Sequence, residues 1–298
     1  MASPSVDTTS VSALFTLDSP SKKGQAEAGV VAALYFIAWV SLIVQVPLCK
    51  GKYYAAVVAT LFATARGVGY IFRALAEQKV TKSRFEAYLI LTSAATFLFI
   101  GALGSLLGHW YERCSGWSHL EVRLPGGRTL SVARLMRVLH IVGIVFAVIG
   151  ISGAVSLFSA KTMADVASAQ KDRKTSNSGF VALMAIYTAF ALACTLLSTT
   201  KARGLGPGPI GLSRTLVAAA LSAACGLLLI RTVFGLLSID HPKFTNQPRL
   251  LYTLEALPEL LALYIVAFPG FMPAIGRDAD HQQHKPVGTA LQSENAPV

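Results

Sequence analysis

Two carboxylates, Glu255 and Glu259, stand one helical turn apart in the apolar run YTLEALPELLALYIVAFPGF, with Pro258 between them. On a helix that spacing puts both on one face. Three kinds of chemistry are open to carboxylates held there. They can fix helix register through ion pairs, share arginines with the headgroup of an amphipathic ligand, or serve as a buried general acid. The basic residues that could meet them inside apolar stretches are Arg66, Arg73 and Arg231, with Arg137 at the edge of another. Each charge costs roughly 2.5–3.5 kcal/mol at the centre of a membrane helix on insertion scales, so each needs a partner or a wet environment.

The elements that must position these groups follow from composition. Of 298 residues, 53% are hydrophobic and 14% are charged, against about 25% charged in soluble domains. The apolar residues are gathered into runs of the roughly 20 residues that a helix needs to cross the hydrocarbon core. Seven such runs are expected, at about 30–48, 53–76, 86–108, 136–159, 179–199, 213–237 and 249–273. The alternating pattern of a membrane β-barrel is absent from them. The fold class is therefore all-α, a polytopic seven-transmembrane-helix bundle over 30–275. Polar, Ser/Thr-rich or Pro-containing tails at 1–29 and 276–298 are expected to be disordered. The patch at Val11 to Leu17 is too weak, and its basic pair too late, for a signal peptide.

The net charge of +11 resides mostly in short loops, where it faces lipid headgroups; nucleic acid is not an expected partner. Lys and Arg divide evenly between the two sides, so orientation is left open. Cys49, Cys114, Cys194 and Cys225 make no C-x-x-C pair, and His140, His281 and His284 are isolated, so no metal or cofactor is expected. GLGPGPIG at 204–211 lacks the lysine of a nucleotide-binding loop. In the long third loop, PGG at 125–127 signals a turn, and Trp110, Tyr111 and Trp117 read as an aromatic belt at the headgroups.

Antiparallel threading then decides which charges can meet. Arg231 lies as far before the end of its span as Glu255 lies after the start of the next; Arg66 and Glu259 match near the midplane. Arg73, two turns on from Arg66, shares its face. Convergence of Arg66, Arg73, Arg231, Glu255 and Glu259 is expected, with Arg231 to Glu255 as the closest contact and Ser152 and Ser156 as nearby hydroxyls. Pro258 and Pro269 should interrupt the last helix, and Gly67 and Gly69 permit close approach beside Arg66.

Three segments carry a family resemblance: Gly69-Tyr70 with Arg73, the aliphatic run ending Arg231-Thr-Val-Phe234, and Tyr252-x-x-Glu255-x-x-Pro258. With the spacing of spans over roughly 30–273, the chain resembles the fungal RTA-type seven-helix proteins, described as lipid-translocating exporters, and a neighbouring set of fungal seven-helix proteins. It differs at Arg66, where a Glu is usual in that family. The resemblance implies an integral multi-pass protein of the plasma membrane or an endomembrane that exports or senses a lipid-like molecule. It adds Tyr70 and Tyr252 to Arg66, Arg73, Arg231, Glu255 and Glu259 as ligand-binding candidates. The alternatives are a membrane-embedded cyclase or isomerase using Glu255 or Glu259 as acid, and an accessory scaffold; the Asp-Arg-Tyr and Asn-Pro-x-x-Tyr signatures of G-protein-coupled receptors are absent.

Overall fold

The computed structural model describes residues 22–48, 53–78, 82–114, 121–123, 129–201, 214–241 and 248–272. The helices are α1 (Lys22–Gln45, closed by a tight turn over Val46–Leu48), α2 (Tyr53–Gln78), α3 (Lys82–Cys114), α4 (Val132–Ser159), α5 (Met163–Lys201) and α6 (Arg214–Asp240). The last span is built in pieces: α7 (Pro248–Leu251), a π-helical turn (Tyr252–Ala256) and α8 (Leu257–Ala267). Seven helical segments among the described residues are long and apolar enough to cross a bilayer. The protein is a multi-pass, all-α membrane protein.

Each helix packs on its sequence neighbours, and α8 returns to α1 and α6, so the spans form a closed ring in chain order. The longest contacts across it come from α3, which also reaches α5 and α6. The buried face of α1 reads Gly24, Ala28, Ala32, Tyr35, Ala38, Leu42 and Gln45, a stripe at helical spacing, while Val30, Ile37, Val40 and Val44 face outward. Small residues on the stripe let backbones approach, and large aliphatics are left for lipid. Between α4 and α5 the approach is closest: a Cβ at Gly153 would stand 3.0 Å from the Ala169 carbonyl, and one at Gly179 2.4 Å from the Phe146 ring.

Several boundaries differ from the sequence reading. α1 begins at Lys22, inside the segment read as tail; the rest of both expected tails lies outside the described residues. α5 begins at Met163, not 179, and its 39 residues extend about 58 Å at ~1.5 Å each. A capping box starts it: the Thr162 hydroxyl accepts from the Asp165 N–H at 3.1 Å, and the Asp165 carboxylate accepts from the Thr162 N–H at 2.9 Å. Hydropathy does not register a polar helical extension of this kind. The last span ends at Ala267, short of 273, because Phe268 precedes Pro269 and takes up an extended conformation. The Ala267 carbonyl accepts instead from Ser41 Oγ and Gln45 Nε2, both at 2.6 Å.

The turn signal in the third loop is flanked by two short antiparallel strands, β1 (Glu121–Arg123) and β2 (Thr129–Ser131). The aromatic belt is corrected: Trp110 and Tyr111 are buried, with Tyr111 against Phe190. Both are on the last turns of α3, which continues past the expected end of its span inside the ring. Trp117 lies outside the described residues.

Candidate functional site

Arg66, Arg231, Glu255 and Glu259 meet where α2, α6 and the last span adjoin, whereas Arg137 is exposed on α4. Arg66 is fully buried and binds Glu259 side-on: its Nε donates to Oε1 at 2.6 Å and its Nη2 to Oε2. The same Nη2 lies 3.3 Å from Glu255 Oε1. Arg231 approaches from α6, donating from Nη2 to Glu255 Oε1 at 3.2 Å and from Nε to Glu259 Oε2 at 3.3 Å. Each arginine therefore touches both carboxylates. The depth-matched pairs predicted from the sequence are present, but cross-linked into one network.

The closest contact is Arg66 to Glu259, not Arg231 to Glu255. Glu259 is 0% exposed, whereas the Glu255 side chain is 13% exposed. The deeper position offers no water to compete for the carboxylate, so the two-point guanidinium contact forms there. Bidentate, charge-assisted bonds of this kind are the geometry that makes a buried pair tolerable despite the cost of removing both ions from water.

Local backbone geometry delivers the acids. Pro258 has no N–H to close the turn on Leu254, and the helix answers with the π turn just before it. There the Leu257 N–H bonds the Tyr252 carbonyl five residues back. Glu255 and Tyr252 lie in that widened turn, and Glu259 lies in the first turn of α8. The expected interruption by Pro258 is thus a π bulge, a feature common at functional sites.

Arg73, predicted on the same face as Arg66, is also buried, and its surroundings are different. It stands above the rings of Tyr88 and Tyr252, at 5.4 and 5.8 Å to their centroids. Its Nη1 reaches the Tyr88 hydroxyl at 3.4 Å, its Nη2 stands 3.9 Å from Glu77 Oε1, and its Nε has no hydrogen-bond partner. Tyr70 bridges the two arginines. Arg66 lies over its ring at 5.7 Å, and the ring neighbours those of Tyr35, Tyr88 and Tyr252. The buried hydroxyls of Tyr35 and Tyr70 and the Nη1 of Arg66 have no hydrogen-bond partner either.

All seven sequence-predicted site residues, Arg66, Tyr70, Arg73, Arg231, Tyr252, Glu255 and Glu259, therefore fall in one connected region. Ser152 and Ser156 do not; both are exposed on the outer face of α4. Four further residues belong to the region. Glu77 is Arg73's i,i+4 partner and was visible in the sequence by its spacing, but reads as the start of a loop. Tyr35 and Tyr88 carry no sequence signal that separates them from core aromatics. Arg173 interacts electrostatically with Glu255, and lies in the polar half of α5 that the sequence presents as a loop. Beside it, Arg231 Nη1 and Asn177 Oδ1 stand 3.5 and 3.6 Å from the position of a Cβ on Gly235.

Among the described residues no group of His, Cys, Asp and Glu could hold a metal ion. The described cysteines, Cys194 and Cys225, are free thiols. The arrangement supplies guanidinium and phenol N–H and O–H donors in excess of carboxylate acceptors, which is the chemistry of an oxyanion receptor. No protein-family model, curated protein or solved structure matches the chain.

Proposed function

We propose that this protein binds an amphipathic, lipid-like small molecule and moves it across the membrane, with the Arg/Glu region as the polar seat of the headgroup. One observation carries the reading: three buried guanidinium groups, those of Arg66, Arg73 and Arg231, gather with Glu77, Glu255 and Glu259 inside a membrane domain, and Arg66 Nη1 and Arg73 Nε are left without hydrogen-bond partners. Register alone needs matched pairs. A surplus of buried donors fits a ligand that brings acceptors. The resemblance to lipid-translocating seven-helix proteins agrees with this reading.

In the conformation described, the central network is closed, with Arg66 and Glu259 both sealed from solvent. Access therefore requires the last span to move relative to α2 and α6. The π turn and the break at Phe268–Pro269 are the places where it can bend. Binding is favoured over acid catalysis because both oxygens of Glu259 already accept from arginine.

Reconstitution in proteoliposomes tests the proposal. A fluorescent amphipath with an acidic headgroup should move between leaflets faster than in protein-free vesicles, and a Pro258→Ala variant should slow it. Equal rates with and without protein, across acidic, zwitterionic and basic headgroups, would refute it.

A further inference from the structure

We infer that Arg73, and not Arg66 or Arg231, is the cation that receives the ligand's headgroup, and that this headgroup is an oxyanion of the phosphate or carboxylate class. The inference rests on the binding function proposed above and names the chemistry of its site.

Arg66 and Arg231 are committed. Between them they hydrogen-bond both oxygens of Glu259 and Oε1 of Glu255, so an incoming anion would have to displace a carboxylate already held. Arg73 is not committed in this way. It is 6% exposed, yet its hydrogen bond to Tyr88 is long at 3.4 Å. Its approach to Glu77, at 3.9 Å, is an ion pair beyond hydrogen-bond reach, and its Nε is unpartnered. A guanidinium carries five donors in a planar fork, and burying it without acceptors is costly.

Glu77 is a divided partner. Its carboxylate carbon stands 3.0 Å from the position of a Cβ on Gly24, in the first turn of α1. The positive dipole end of α1 therefore attracts the same carboxylate. Tyr88 and Tyr252 occupy positions about the guanidinium at cation–π distances. Rings beside a guanidinium leave its in-plane donors to a bidentate oxyanion, the geometry in which Arg excels over Lys.

Position agrees with this role. Arg73 lies seven residues along α2 from Arg66, about 10 Å at ~1.5 Å per residue. It is displaced toward the membrane face where α1 begins and α2 ends. A lipid headgroup entering from that face meets Arg73 before the sealed centre.

The test measures binding to the full-length protein in nanodiscs of neutral phosphatidylcholine, using short-chain phosphatidic acid and inorganic phosphate as probes. Saturable binding of phosphatidic acid is expected, weakened by about tenfold to a hundredfold in Arg73→Gln, which loses charge-assisted bonds, and less weakened in Arg73→Lys. Phosphate binding as tightly as phosphatidic acid, with the same dependence on Arg73, would support the oxyanion site and identify a soluble ligand as its source. Glu77→Gln, which removes the competing carboxylate, should tighten binding several-fold; a purely structural Arg73–Glu77 pair would instead lower the unfolding temperature in both variants and leave affinity unchanged. If Arg73→Gln does not fold, the Glu77→Gln result decides alone. Failure of both probes to bind, or unchanged affinity in the variants, would overturn the inference. Arg73-dependent binding without transbilayer movement would retain this site and remove the transport reading. Movement indifferent to Arg73→Gln would do the reverse.

Discussion

Glu259→Gln is the substitution on which the closed network makes its sharpest demand. The change is nearly isosteric, so it removes charge without making a hole. The native carboxylate takes two contacts from Arg66, one of them at 2.6 Å, and one from Arg231 at 3.3 Å, with no exposure to water. The amide can accept through only one of its two heavy atoms, and its NH2 group would face an arginine donor. Two buried guanidinium groups would then share Glu255 alone. Breaking a buried pair by removing one partner costs about 3–5 kcal/mol, a large part of the roughly 5–15 kcal/mol that typically separates folded from unfolded protein. Glu255→Gln should cost less, about 1–2 kcal/mol, because that side chain is 13% exposed and its contacts are 3.2 and 3.3 Å long. Denaturant unfolding in mixed micelles measures both. The double variant Arg66→Met/Glu259→Leu, which removes charge from both sides, should be more stable than the sum of its single changes by roughly 1–3 kcal/mol. A cost for Glu259→Gln no larger than that for Glu255→Gln, or strict additivity of the double variant, would mean that Arg66 and Glu259 are not the tightest pair of the network.

The remaining predictions concern the scaffold. Gly179→Val should destabilise by about 1–3 kcal/mol or more through overpacking, since even a Cβ there would stand 2.4 Å from the Phe146 ring. Gly226→Ala, with nothing within 4 Å, should be neutral or stabilising by up to about 1 kcal/mol through helix propensity; thermal unfolding of the two variants checks the contrast. Thr162→Ala should cost about 1 kcal/mol and speed hydrogen exchange at the start of α5 while leaving the amides around Phe180 protected. Single cysteines placed at Ser83, Lys174 and Asp240 should react with an impermeant thiol reagent from one side of the membrane only, because α2, α4 and α6 all end on that side.

Hydropathy made the seven spans legible because a lipid-facing helix must be apolar over a fixed length, whatever it packs against. The charged site was legible for the same reason in reverse. Arg66, Arg231, Glu255 and Glu259 are conspicuous in apolar runs, and antiparallel threading restricts which of them share a depth. What threading cannot rank is contact distance. The preference of Arg66 for Glu259 comes from local dryness and rotamer geometry, which no count of residues along the chain contains.

The misses have a common cause. Glu77 and Arg173 sit in polar sequence at the ends of spans, where a reading by hydropathy sees loops, yet helix α2 and the capped extension of α5 carry them to the charged region. Both signals were present: Arg73 to Glu77 is an i,i+4 pair, and Thr162-x-x-Asp165 is a helix start. Tyr35 and Tyr88 are different. A buried tyrosine facing an arginine and one filling a core look alike until the partner helix is placed. Ser152 and Ser156 show the complementary error, since an i,i+4 hydroxyl pair defines a face but not its direction.

Everything proposed for this protein rests on Arg66 and Arg231 contacting Glu255 and Glu259 within the membrane. Solid-state NMR dipolar recoupling between 15N-labelled guanidinium and 13C-labelled glutamate carboxylate, in the full-length protein in lipid bilayers, measures that contact directly. Strong coupling is expected at the separation of a hydrogen-bonded ion pair, about 3 Å from N to O, lost largely in Glu259→Gln and only partly in Glu255→Gln. Coupling confined to background in the folded wild-type protein, or indifferent to Glu259→Gln, would mean that these side chains face water or lipid instead of each other, and would refute that contact.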